Sequence, residues 1–428
     1  MTAEIAVINK SAVALAADSA VTITNPNGKT KIYNGAEKLF ALTKYHPVGI
    51  MVFGSGTLCR VPWEVVIKEY RKTLGERCFA TLDEYTEDFF QFLEQADKLI
   101  PYDLRDLFLE NHWLGIYLDI WEQVSQKVEE LVKEEGAEDL EEKTMQILSE
   151  LCTEFSDILD RQHFLTDFSQ DDVEALSKES VKFVEGKLAE ASFELTEPLK
   201  ANLATVLALA TAKENPLGAN SGVVFAGYGD QEYFPSILTF DLKGFWGKKL
   251  RRVPDLDKSC GGGSSGIEAY AQDEEALTFM RGVSPEIERC YSQAFFDSFD
   301  SVLRKAMELI EQNTDKDCVD VKKALEEHAL ERWQAAQRAM SGVIQKDYVD
   351  RVVNMVEFLP KDELAYMAES LVNMTAFKRK VTNDSETVGG PIDVAVISKG
   401  DGFVWIKRKH YFDGGLNNHY FEKFSKGS

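Results

Sequence analysis

The chain has 428 residues, 44% of them hydrophobic, which is enough for a large buried core, and a formal net charge of −24. That charge repels phosphate backbones and anionic membrane surfaces, so roles at nucleic acid or at a membrane are set aside. The six cysteines contain no CxxC pair and the six histidines show no HExxH spacing, which argues against a disulfide framework and a zinc cluster.

From the N-terminus, residues 2–59 read as β structure. Segments 4–9 and 12–17 are rich in Val, Ile and Ala, with Asn9-Lys10 as the turn between them. Asn25-Pro26-Asn27-Gly28 is a turn signal. Segments 38–43 and 48–53 are two further short strands, the second ending at Gly54-Ser55-Gly56. Residues 60–215 change character: Glu, Lys, Leu, Phe and Ala dominate with helical spacing, most clearly over 83–99, 116–135 and 140–162. Their acidic faces read as solvated surface.

Strands return at 222–227 and 237–241, a hairpin-like pair, followed by the glycine-rich loop 261–266. That loop lacks the Gly-Lys-Ser/Thr ending of a phosphate cradle. A second helical stretch covers about 274–377, and strands at 392–398 and 402–407 close the pattern before a polar tail. No signal peptide is visible, because the apolar run 12–17 is short and stops at Asp18. No run approaches transmembrane length, so a soluble cytoplasmic protein is expected.

A threonine hydroxyl needs a base within hydrogen-bond reach before it can act as a nucleophile. An N-terminal threonine carries one in its α-amine, whose ordinary pKa is about 7.7–8.0. Thr2 fits this requirement once Met1 is removed, and threonine is small enough for methionine aminopeptidase to do so. A nearby lysine disfavours protonation of that amine, and a buried lysine requires a carboxylate. Asp18 at the end of one strand and Lys38 at the start of another supply such a pair, although alone they also fit an ordinary structural ion pair. A backbone N–H beside a glycine is the simplest oxyanion donor, and Gly54 follows an apolar strand.

At these residues the chain resembles the proteasome β subunits and their bacterial relatives, a family of N-terminal-nucleophile (Ntn) hydrolases. Ala16-Ala17-Asp18-Ser19-Ala20-Val21-Thr22 resembles the family's AADSxxT motif, and Gly35-Ala36-Glu37-Lys38-Leu39 the segment that ends in its lysine. Phe53-Gly54-Ser55-Gly56 is similar to its small-Gly-Gly turn. Val388-Gly389-Gly390-Pro391-Ile392-Asp393 is similar to the turn before its last hairpin. The resemblance covers roughly 2–60, 220–272 and 383–410 and leaves the helical regions unmatched in detail.

It implies Thr2 as nucleophile, Lys38 held by Asp18, Gly54 as oxyanion donor, Thr22 pairing with a bound peptide, and Ser264 and Asp384 supporting the threonine amine. It also implies an α+β fold: a four-layer αββα sandwich with enlarged helical layers, built as one domain over 1–428 with helical insertions at about 60–215 and 274–377. The expected activity is hydrolysis of amide bonds, a peptidase first. A silent scaffold protein and a small-molecule amidase stand as alternatives, since a fold does not fix a substrate. Peptide or protein substrates, self-assembly and an unfoldase ATPase are the partners it implies; no metal or organic cofactor is implied.

Overall fold

The computed structural model of the chain describes residues 2–24, 30–135, 139–191, 194–218, 221–313, 319–382 and 388–425. In chain order the first strands are β1 Ala3–Ile8, β2 Val13–Ala17, β3 Ala20–Thr24, β4 Thr30–Asn34, β5 Leu39–Ala41 and β6 Val48–Gly54, then the small pair β7 Thr57–Leu58 and β8 Val61–Pro62. Six helices follow: α1 Trp63–Leu74, α2 Leu82–Gln95, α3 Tyr102–Glu135, α4 Leu140–Asp160, α5 Gln170–Ala191 and α6 Glu197–Ala212. Strands resume with β9 Ser221–Gly227, β10 Ser236–Trp246, β11 Lys249–Pro254 and β12 Gly266–Ala271. Then come α7 Glu274–Arg281, α8 Pro285–Asn313 and α9 Val319–Val343, a π-helical turn at Ile344–Val349, α10 Asp350–Val356 and α11 Lys361–Val381. The hairpin β13 Asp393–Ser398 and β14 Gly402–Lys407 and a last helix, α12 Asn418–Ser425, complete the chain.

The chain is α+β, and its sheets are antiparallel. It divides into two compact units. The first comprises Met1–Leu39, Glu232–Ser236 and Cys260–Ser428; the second comprises Phe40–Gln231 and Ile237–Ser259.

In the first unit the strand order is β12-β1-β2-β13-β14. Strands alternate their side chains between faces. Ala3, Ile5 and Val7 of β1 and Ala14 and Ala16 of β2 therefore share one face, where they join Leu364, Ala368, Leu371 and Val372 of α11 in one core. Alanines on β2 leave room for that helix to lie close. Residues 4, 6 and 8 point from the opposite face, and Glu4 among them is fully buried.

The second unit has the strand order β11-β10-β9-β6-β5. Helices α1 and α2 cover it through Trp63, Ile67, Phe89 and Phe90, which meet Ile50, Val52 and Phe225. Helices α3 to α6 form a second core around Trp113, Leu148, Leu176 and Leu207. Thr81 starts α2 by accepting a hydrogen bond from Glu84 N (3.3 Å), while the Glu84 carboxylate accepts from Ala80 N (2.8 Å). The first bond satisfies a donor that the first helical turn leaves open, and the second ties Glu84 to the residue before the cap. Arg251 of β11 ties strand to helix: fully buried, it donates to the carbonyls of Thr211 (2.9 Å), Ala210 (3.1 Å) and Lys243 (2.9 Å).

The expected alternation of strands and helices is present. Strands β3 and β4 lie within the region read as β structure but were not delimited in it, and β11, β12 and the terminal helix α12 were not expected from the sequence. Ile32 and Tyr33 of β4 are exposed. The strand expected over 38–43 is shorter, because the Thr43 hydroxyl accepts from Tyr45 N (2.9 Å) and His46 N (3.2 Å) and turns the chain. The turn expected at 25–28 lies outside the described residues. No helix among the described residues is long and apolar enough to cross a membrane.

Candidate active site

The group of interest lies in the first unit, where the start of β1, the β2–β3 connection, the approach to β5 and the loop before β13 converge. Thr2 immediately precedes β1 and is buried; its carbonyl accepts from Gln272 N (3.0 Å). Asp18 leaves the end of β2 and is fully buried. Its Oδ1 accepts from Ala3 N (3.2 Å) and from Lys38 Nζ. Its Oδ2 accepts from Ala20 N (3.1 Å) and Gly389 N (3.0 Å). One carboxylate thus fastens four separate segments, and each donor offsets part of what its burial costs.

The loop that follows locks the arrangement. Ser19 N donates to Gly389 O (3.2 Å), Ser19 Oγ donates to Pro391 O, and Ala36 N donates to Ser19 O (3.1 Å). Gly390 has φ +78°, and a Cβ there would stand 2.8 Å from Asn34 Cβ. Both the left-handed backbone and the close approach exclude a side chain. Gly390→Ala is expected to cost about 2 kcal/mol in thermal unfolding. Gly389→Ala keeps the N–H to Asp18 and meets nothing within 4 Å, so it should stay within about 0.5 kcal/mol of the parent.

Lys38 Nζ stands between two carboxylates. It pairs with Asp18 Oδ1 and lies 3.4 Å from Glu4 Oε1, and its side chain is only 7% exposed. Glu4 is the residue that sequence reasoning missed. The Thr2 hydroxyl lies against its carboxylate. Burial pushes its pKa up to about 7, opposed by the Lys38 charge and reinforced by Asp18. Among the described residues, neither Thr2 Oγ1 nor either Glu4 oxygen makes a hydrogen bond. The signal was present as one charged residue in the apolar run of β1, two positions from Thr2 and so on its side of the strand.

The structure places three of the remaining expected residues. Ser264 does not join the group. Strand β12 runs antiparallel to β1 with Gly266 opposite Ile8 and Ala271 opposite Ala3, so Ser264 lies beyond the far end of β1 from Thr2. There it is exposed and stabilises a turn onto Gly261 O (3.2 Å). The segment that the register brings beside Thr2 is the end of β12, with Gln272 next in the chain. Thr22 lies in β3 opposite Ile32. Gly54 ends β6 in the second unit with φ +76°, a conformation glycine adopts freely. Asp384 lies outside the described residues.

A hollow of about 560 Å³ opens beside Asp18, lined by Asn34, Asn373, Phe377, Lys380 and Gly389. A larger one, about 960 Å³, lies between α8 and α9 around Phe296 and Trp333 and contains none of these residues. No group of His, Cys, Asp and Glu among the described residues is arranged to hold a metal ion.

No family model and no curated protein matches the chain. Among solved structures it is similar to an Anbu (Gly-1) mutant from Hyphomicrobium sp. strain MC1, at 10% identity. The match covers 100% of this chain and 98% of that one, with a TM-score of 0.29, below the level at which two folds correspond.

Proposed function

We propose that this chain is a threonine-type Ntn hydrolase that cleaves amide bonds, with peptides as the substrate class, once Met1 has been removed. One observation carries the reading: Thr2, Asp18 and Lys38, from three separate segments, belong to one buried group in which Asp18 Oδ1 bonds both Ala3 N and Lys38 Nζ. In this reading Thr2 Oγ1 attacks the amide carbonyl. Its proton passes to a base beside it, for which the freed α-amine is one candidate. Lys38, fixed by Asp18, supplies positive charge next to the developing alkoxide, where low dielectric makes it effective.

Thr2→Ala is expected to lower kcat/KM on fluorogenic peptide amides by about 10⁴-fold or more, as loss of a covalent nucleophile does. An epoxyketone, which needs both the amine and the hydroxyl, should add to Thr2 in an intact-mass measurement. Undiminished hydrolysis by Thr2→Ala would end the reading. Small amides assayed beside peptides separate a peptidase from an amidase.

A further inference from the structure

We propose that the Glu4 carboxylate is the general base that takes the proton from Thr2 Oγ1. This rests on reading Thr2 as the nucleophile and puts a side chain in the place that the α-amine would otherwise fill.

The placement follows from the strand. Residues 2 and 4 project on the same side of an extended chain, and the Thr2 hydroxyl lies against the Glu4 carboxylate. The two carboxylates of the group differ in what they have left to give. Asp18 already accepts from three backbone N–H groups and from Lys38. Glu4 has Lys38 at 3.4 Å, and among the described residues neither its oxygens nor the Thr2 hydroxyl makes a hydrogen bond, so its lone pairs remain open to that proton. The charged groups that face it are Lys38 and Asp18. Its cross-strand neighbours are Tyr270 on β12 and Ala17 on β2. A buried carboxyl that titrates near neutrality suits a base working near pH 7.

The step balances. The Oγ1–H proton moves to a Glu4 oxygen, Oγ1 bonds to the substrate carbonyl carbon, and the C=O pair moves onto oxygen. On collapse the C–N bond breaks, and Glu4 returns the proton to the leaving amine. Water then enters by the same route: Glu4 takes its proton, hydroxide adds to the ester carbon, and Thr2 Oγ1 leaves with the proton that Glu4 gives back.

The test uses diisopropyl fluorophosphate, which needs an activated hydroxyl but no free amine, with labelling mapped to Thr2 by peptide mass. Expected is a rate that rises with pH through about 7 in the wild type and is about 100-fold lower, without that rise, in Glu4→Gln. Glu4→Asp should recover part of the rate, and melting curves check that both variants are folded. Labelling of Glu4→Gln within threefold of wild type, or no labelling of wild-type Thr2, overturns the assignment. If wild-type Thr2 labels in this Glu4-dependent way while no amide is hydrolysed, the hydrolase reading fails and the base assignment stands. If amide hydrolysis requires Thr2 and labelling ignores Glu4, the base assignment alone fails.

Discussion

Asp18→Ala is expected to lower the unfolding free energy by about 3–5 kcal/mol, the range for removing one partner of a buried ion pair. The substitution strands more than a charge. It leaves the N–H groups of Ala3, Ala20 and Gly389 without their acceptor, and it leaves Lys38 buried with Glu4 as its remaining carboxylate. Each orphaned donor has given up its water on folding and gains no acceptor in exchange. Urea denaturation followed by circular dichroism measures the loss. A companion change, Lys38→Met in the same chain, should recover a substantial part of it, because an apolar side chain of similar length removes the uncompensated charge. A loss below about 1 kcal/mol in the single variant would mean that the four segments are held together by other contacts.

The second large effect is a dependence of stability on pH that runs opposite to the usual carboxylate case. The ordinary Glu4 pKa of 4.5 rises to about 7 in the folded chain. Between those values the folded chain holds a proton that the unfolded chain has released, so stability falls as pH rises. The contribution is fully present below pH 4.5 and lost once pH passes about 7, and the difference amounts to about 3 kcal/mol. Glu4→Gln keeps the shape and cannot ionise. Its stability relative to wild type should therefore climb across that window and reach a plateau above pH 7. Parallel melting series at pH 5 and pH 8 read it directly, and an unchanged difference between the two chains would refute the raised pKa. The same substitution is thus expected to stabilise the fold and to slow the labelling of Thr2.

Much of this site was legible in the sequence, but unevenly. Asp18 and Lys38 announced themselves because a charge that ends an apolar strand needs a counter-charge. Glu4 sat two residues from Thr2 and went unread, because its surroundings come from segments distant in the chain. Ser264 was misplaced for a related reason: its glycine-rich context looked right, but only the pairing of β12 with β1 decides which end of the strand stands near Thr2. The helices over 83–99, 116–135 and 140–162 were found from their periodicity. The start of α3 at Tyr102 was not, since its first turns mix aromatic and charged residues without a clear stripe. Strands β3 and β4 were read only as part of a β region, without bounds of their own.

The interleaving of the two units also sets a timetable. The second unit is complete once residue 259 has been made. The first must wait, because Asp18 takes one of its donors from Gly389, 371 residues downstream. At about 5–20 residues per second, roughly 20–75 s of synthesis separate those two residues. Throughout that interval β2 lacks its β13 neighbour, and Asp18 lacks the loop that clasps it. The surroundings of Thr2 are therefore completed late, and a ribosome that stalls before Gly389 leaves behind a fragment whose Asp18 lacks that donor.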